Sequence, residues 1–237
     1  MDLIKRFDTA RDRVSALYAA YLFGLRGAFY QLTFSGSAIS PKSVAQFGAT
    51  VDQLAEVLGS EISSQAHEMA YAAYVDGIKQ ASKTSDELIG EADSLSRELR
   101  AAFLTTLTSQ IAADKLTALN DARRIYLGEP GAGSQAPFHI VGDPTYLRFG
   151  YVDAQGKTWA PDRHIATSFR AMLVGIRNEA LFTASGREQF VLRHAEGKEG
   201  VDGLVFARES TDVLPGFDKV MPLLHPNTKA LAFEVQT

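Results

Sequence analysis

Five histidines are the first candidates for chemistry in this chain of 237 residues. An imidazole beside a carboxylate can act as a general base or hold a metal. His139 precedes Asp143, His164 follows Asp162, and His194 lies near Glu196 and Glu199. None has a ligand spacing such as His-x-x-x-His or His-Glu-x-x-His. Solvated side chains are therefore expected, and no metal site. The chain has no cysteine, which excludes disulfides, thiolate nucleophiles and cysteine-based zinc sites. A Gly-x-Ser-x-Gly nucleophile elbow and the two glycine-rich phosphate-loop patterns are missing from the sequence. Gly131-Ala-Gly133-Ser is too short for such a loop and carries no lysine. Carboxylate pairs such as Asp86 with Glu87, or Asp12 with Glu91, fall on helical stretches where solvated charge is the default. The expectation is a protein that is not an enzyme and takes no cofactor.

His225 differs from the other four. Pro222-Leu-Leu-His225-Pro226-Asn227 is a dense turn signal just before a final apolar run. Pro226 fixes its own φ and pushes His225 toward extended geometry. Asn227 tolerates unusual backbone angles and can bond its own turn. A rigid structural corner made by His225, Pro226 and Asn227 is expected. The competing enzyme reading is a hydrolase or transferase in which His225 works with Asp212 or Glu209.

The elements that must position these residues follow from apolar spacing. Leu3, Phe7, Ala10, Val14, Leu17, Tyr21 and Leu25 recur every three or four positions, which predicts a helix over 2–33. Ser40 and Pro41 then suit the cap and first turn of a second helix. Its stripe runs through Val44, Phe47, Val51, Leu54, Leu58, Ile62, Met69 and Ala72, to about residue 83. Thr84-Ser-Asp-Glu87 has capping-box spacing. It opens a third stripe of Leu88, Leu95, Leu99, Phe103, Leu107, Ile111 and Leu119. Long helices joined by short breaks imply antiparallel neighbours in a bundle. Small residues (Ala19, Ala20, Gly24, Ala72 and Ala73) are expected at the seams. The greasiest stretch, 14–32, contains Arg26 and Gln31 and reads as a buried helix, not a membrane span. The opening residues, with charges of both signs, do not read as a signal peptide.

Residues 128–137 hold three glycines and two prolines with no periodicity, which marks a linker. The domains expected are a helical bundle over 1–127, that linker, and a small α+β module over 138–237. Within the module, 146–152 reads as a strand, 153–156 as a turn and 157–159 as a short return. Helical spacing resumes from Pro161 to about Ala195, with Gly186 as a possible division. Residues 200–207 and 229–235 read as strands. The fold class expected is α+β.

The order of features in this module resembles the Mu F-like phage minor head protein family. There, a helix with an Arg-x-Glu segment leads to an aromatic residue and a Gly-Arg pair. A strand and a loop follow, then a His-Pro-Asn corner before the last strand. Here the helix carries Arg177-Asn-Glu179, and Phe182 leads to Gly186-Arg187. Gly200 and Val201 open the strand, with Glu209 and Asp212 after it. His225-Pro226-Asn227 precedes the last run. The resemblance covers roughly 161–235, under a third of the chain. Many members of that family flank the corner with cysteines. This chain has Thr228-Lys229-Ala230 there, so a metal knot is ruled out and packing must hold the corner.

The resemblance implies a structural virion protein, present in few copies near the portal vertex or capsid interior of a phage head. Synthesis would be in the bacterial cytoplasm, and the role would be head assembly, genome packaging or delivery. Portal or capsid proteins are the expected partners, bound through the helical half within a large assembly. A helical adaptor or scaffold of a bacterial system is the alternative. Charge argues against a sequence-specific nucleic-acid binder. The net −4 is spread evenly, with 13 Lys and Arg against 15 Asp and Glu up to Tyr126, and 11 against 13 beyond it.

Overall fold

A computed structural model of the chain describes residues 2–34, 39–82, 85–128, 146–197, 200–220 and 230–235. Three long helices come first: α1 (Asp2–Phe34), α2 (Pro41–Gln80) and α3 (Asp86–Tyr126). A hairpin of β1 (Tyr151–Val152) and β2 (Thr158–Trp159) follows, then α4 (Pro161–Ala184). The chain closes with β3 (Gln189–His194), β4 (Val205–Ala207), a short α5 (Phe217–Val220) and β5 (Ala230–Glu234). This is an α+β protein in which a bundle of long helices precedes a small sheet-and-helix module.

The helix ends have local causes. Ser40 Oγ accepts from the Ser43 amide at 3.2 Å, and Ser43 Oγ accepts from the Ser40 amide at 2.9 Å. Pro41 opens α2 at the position where its missing N–H costs nothing. At α3 the expected cap shifts by one residue. Ser85 Oγ accepts from the Leu88 amide at 3.3 Å, and Thr84 lies outside the described residues. Asp86 and Glu87 in the first turn of α3, and Arg123 and Arg124 in its last, complement the helix dipole. Gly128 ends the helix at φ +68, with its amide 3.2 Å from the Ile125 carbonyl.

The chain forms two compact units. One comprises Val14–Ser63 and Thr105–Ile165. Its contacts show antiparallel helices. A Cβ on Gly24 would touch Leu54, while Phe29 meets Phe47 with ring centroids 6.0 Å apart. A Cβ on Gly48 would meet Leu119, and one on Gly59 would meet Ile111. Along both helix pairs one number rises as the other falls. Phe7, Ala10, Val14, Tyr21 and Leu25 of the first expected stripe are buried. Ala19 and Ala20, expected at a seam, are exposed instead. They sit one and two positions past buried Tyr18, on the solvent side of the helix.

The expected strand over 146–152 forms only at Tyr151–Val152. Before it, Leu147 adopts φ +51, and its amide donates to Asp121 Oδ2 at 2.6 Å. That conformation costs a branched residue about 1 kcal/mol. Burial of the Leu147 side chain and the carboxylate bond hold it in place. Tyr146 stacks near Phe29 and lies beneath the Arg124 guanidinium, 4.8 Å from the ring centre. Asp153 ties the hairpin, taking the Gln155 and Lys157 amides and the Trp159 indole N–H at 2.8–2.9 Å.

The other unit comprises Met1–Arg13, Ser64–Leu104 and Ala166–Thr237. Its sheet has the order β4-β3-β5, both pairs antiparallel. Helical spacing had been expected to continue to about residue 195. Instead α4 stops at Ala184, and Gln189–His194 is the central strand of the sheet. Phe190 continues the helical stripe by coincidence of spacing. Leu192 beside it is also buried, the period of two that a strand requires. Residues 200–203 turn rather than pair, and the strand begins at Val205. Leu181 and Phe182 of α4 pack on Phe190, Leu192, Phe206, Ala230 and Ala232. The Phe182, Phe190 and Phe206 rings lie 4.5–5.9 Å apart. Full burial of each phenylalanine is worth about 1.5–3 kcal/mol.

Candidate functional site

The residues of the expected motif gather where α4 meets β5. Arg177 is completely buried. Its Nε donates to Asp76 Oδ2 at 3.1 Å, joining α4 to α2. Nη1 donates to Asn178 Oδ1 at 3.3 Å and to the carbonyl oxygen of Ala232. The guanidinium also lies 4.7 Å from the centre of the Phe233 ring. Asn178 Oδ1 in turn accepts from the Ala232 amide at 3.3 Å. Burial pulls the Arg177 guanidinium down from its ordinary value, while Asp76 works in the opposite sense.

The register explains why Ala232 needs these partners. It sits opposite Leu192 of β3. Leu192 turns its own amide and carbonyl toward β4, bonding the Leu204 carbonyl and the Gly203 amide. Ala232 therefore directs its polar pair outward, to the side of β5 that meets no strand among the described residues. Adjacent side chains on α4 fill the place of a neighbouring strand there. Gly77 lets α2 approach this closely, since a Cβ would lie 2.7 Å from Ala180 Cβ and press on the Arg177 carbonyl.

Glu179 is half-buried. Burial pushes its carboxyl up, and Arg208 pulls it part of the way back. Gly186 and Arg187 are exposed, just past the end of the helix. Glu234, at the end of β5, accepts from the Ser185 hydroxyl and from the Ser82 amide. Burial raises its carboxyl, but those hydrogen bonds and Arg187 outweigh it and hold the group below the usual range. Of Arg177, Glu179 and Arg187, only Arg177 is a core residue.

His225, Pro226 and Asn227 lie outside the described residues, as does His139. Asp212 and Glu209 are exposed. His164 stacks on Tyr151 with ring centroids 3.6 Å apart, and its Nε2 is buried without a partner among the described residues. His194 Nδ1 accepts from the Glu196 amide at 3.1 Å. Among the described residues no group of three or more His, Cys, Asp or Glu side chains could hold a metal. No helix among them is long and apolar enough to cross a membrane.

Two polar features inside the helices were not foreseen. Arg170, one helical heptad before Arg177, is buried and donates to Asp8 Oδ1 at 2.8 Å. Asp114 is 1% exposed, and no cation among the described residues lies within ion-pair distance. Tyr18 Oη donates to it at 2.7 Å, and Gln110 Nε2 at 3.0 Å. Burial pushes the Asp114 carboxyl up to about 6 against the pull of those two bonds. The Tyr18 and Tyr21 phenols are raised by the same burial and by the carboxylate beside them. The Tyr21 hydroxyl is buried without a partner among the described residues. The available signal was Asp114 itself, an acidic residue three positions after Ile111 and four before Ala118 on the apolar stripe.

Comparison of the chain with family models, curated proteins and solved structures gives no match.

Proposed function

We propose that this chain is a minor head protein of a bacteriophage particle. It sits near the portal vertex or capsid interior, contacts portal or capsid proteins through its long helices, and acts in head assembly or genome packaging and delivery. It does not read nucleic-acid sequence. The observation that carries this reading is the place of Arg177. The arginine of the family-like Arg-x-Glu segment is a buried tie between helix and sheet, as a particle component held together by packing requires. The long helices add surface beyond what the small sheet needs for its own core.

The test is the protein content of purified heads. Particles separated on a density gradient should contain the chain at a few copies each, detected by quantitative mass spectrometry. Its absence from particles made by cells that express it would overturn the assignment.

A further inference from the structure

Between α2 and α3 lies a groove of about 180 Å³, lined by His67, Tyr71 and Tyr74 on one side and Asp93, Arg97 and Arg100 on the other. Steps of three and four residues put each trio on one helix face. The Tyr74 hydroxyl turns inward and donates to the Ile89 carbonyl at 3.3 Å. Tyr71 remains 67% exposed, an aromatic ring left largely in water. Arg97 is answered within its own helix, with Nη2 2.8 Å from Asp93 Oδ2.

Arg100 is answered differently. Its Nη1 lies 2.6 Å from His67 Nδ1, and no carboxylate among the described residues is within ion-pair distance. A guanidinium nitrogen only donates, so His67 Nδ1 must accept and the ring proton belongs on Nε2. The pair then offers only N–H groups to whatever enters the groove. These are the remaining guanidinium N–H groups and the His67 Nε2–H. They are oriented by a bond between two helices, beside an exposed phenol ring.

We infer that this groove docks an acidic segment of a partner protein. A Glu or Asp carboxylate pairs with the Arg100 guanidinium that His67 holds in place, and an apolar neighbour on the same segment covers Tyr71. Arginine and tyrosine are the residue types that dominate interface energetics, and a planar carboxylate matches the guanidinium fork. Nucleic acid fits less well. Two guanidiniums, one of them already paired to Asp93, oppose a chain of net −4, whereas phosphate backbones need clustered positive charge. The inference rests on the groove's chemistry, not on the particle assignment.

The test titrates the full chain with a capped peptide alternating leucine and glutamate, while ring signals of His67 and Tyr71 are followed by NMR. Saturable shifts of both rings are expected. Losing one charge-assisted contact in Arg100→Gln should weaken binding about tenfold. Tyr71→Ala should weaken it about fivefold through lost apolar cover. Both variants should keep the parent's helical circular dichroism, since both side chains are at the surface. No shift at millimolar peptide would overturn the inference, as would unchanged affinity in Arg100→Gln. Equal binding of a control peptide with lysine in place of glutamate, or a stronger response to a single-stranded oligonucleotide, would also overturn it. So would concentration-dependent shifts without peptide, which would mean that a second copy of the chain fills the groove.

Discussion

Replacing Asp114 by Asn should make the protein more stable at neutral pH and nearly abolish one component of its pH dependence. The carboxyl titrates at about 6 in the folded chain against an ordinary 3.8, because burial penalises its charge. With the folded value raised, the proton is bound more tightly in the native state. The resulting stabilisation is complete below the unfolded value and is lost as pH rises through the folded one. Between about pH 2.5 and 7.5 the parent should lose about 3 kcal/mol from this group, at about 1.4 kcal/mol per unit. Asn keeps the shape and an oxygen to accept from Tyr18, but its amide needs an acceptor, which costs about 1 kcal/mol. The variant should therefore exceed the parent by about 2 kcal/mol at pH 7.5 and fall about 1 kcal/mol below it at about pH 2.5. Urea unfolding followed by far-ultraviolet circular dichroism at several pH values measures the difference directly. Parallel pH profiles for the two proteins would refute the reasoning, since they would mean that Asp114 reaches water in the folded state.

Other substitutions test other links. Arg177→Met should destabilise by about 3 kcal/mol in denaturant, because Asp76 and the Ala232 carbonyl lose their donor. Gly77→Ala and Gly27→Ala form an informative pair. Alanine favours a helix by about 1 kcal/mol, and nothing lies within 4 Å of a Cβ on Gly27, so that variant should melt higher. At Gly77 the methyl meets Ala180 and the α4 backbone, and a loss of about 2–3 kcal/mol should reverse the sign. Ser40→Ala should cost about 1 kcal/mol through the lost cap of α2, read as a lower thermal midpoint.

The parts of the fold legible from sequence are those set by local spacing. The stripes of α1 and α2 and the Ser40-Pro41 start need only neighbours along the chain. The hairpin around Asp153 is local in the same way. The end of helix α4 is not legible, because Phe190 falls where a helical stripe would place it. Whether Gln189–His194 pairs as a strand is decided by residues near 205 and 232, which no local window contains. Leu147 departs from strand geometry because Asp121, distant in sequence, captures its amide. The junction was only partly readable. Arg177 was singled out as a motif letter, whereas its burial depends on Gly77 admitting the helix and on Ala232 facing outward. Nothing in the local sequence marks Asn178, although its amide oxygen holds the strand. Asp114 is not legible either, because a carboxylate on a helix is usually solvated and only the packing of α1 against α3 encloses it.

The clamp on Ala232 has a consequence for how the molecule behaves in company. An antiparallel sheet with a bare flank invites another chain to add itself, and the addition can repeat without limit. Here the donor and acceptor at the middle of that flank are already engaged by the molecule's own helix, so a newcomer finds no ladder to extend. At high concentration, where copies press together, such a stopper disfavours edge-to-edge pairing. Loss of Arg177 would then show itself not only as weaker folding but as slow, seedable fibre growth.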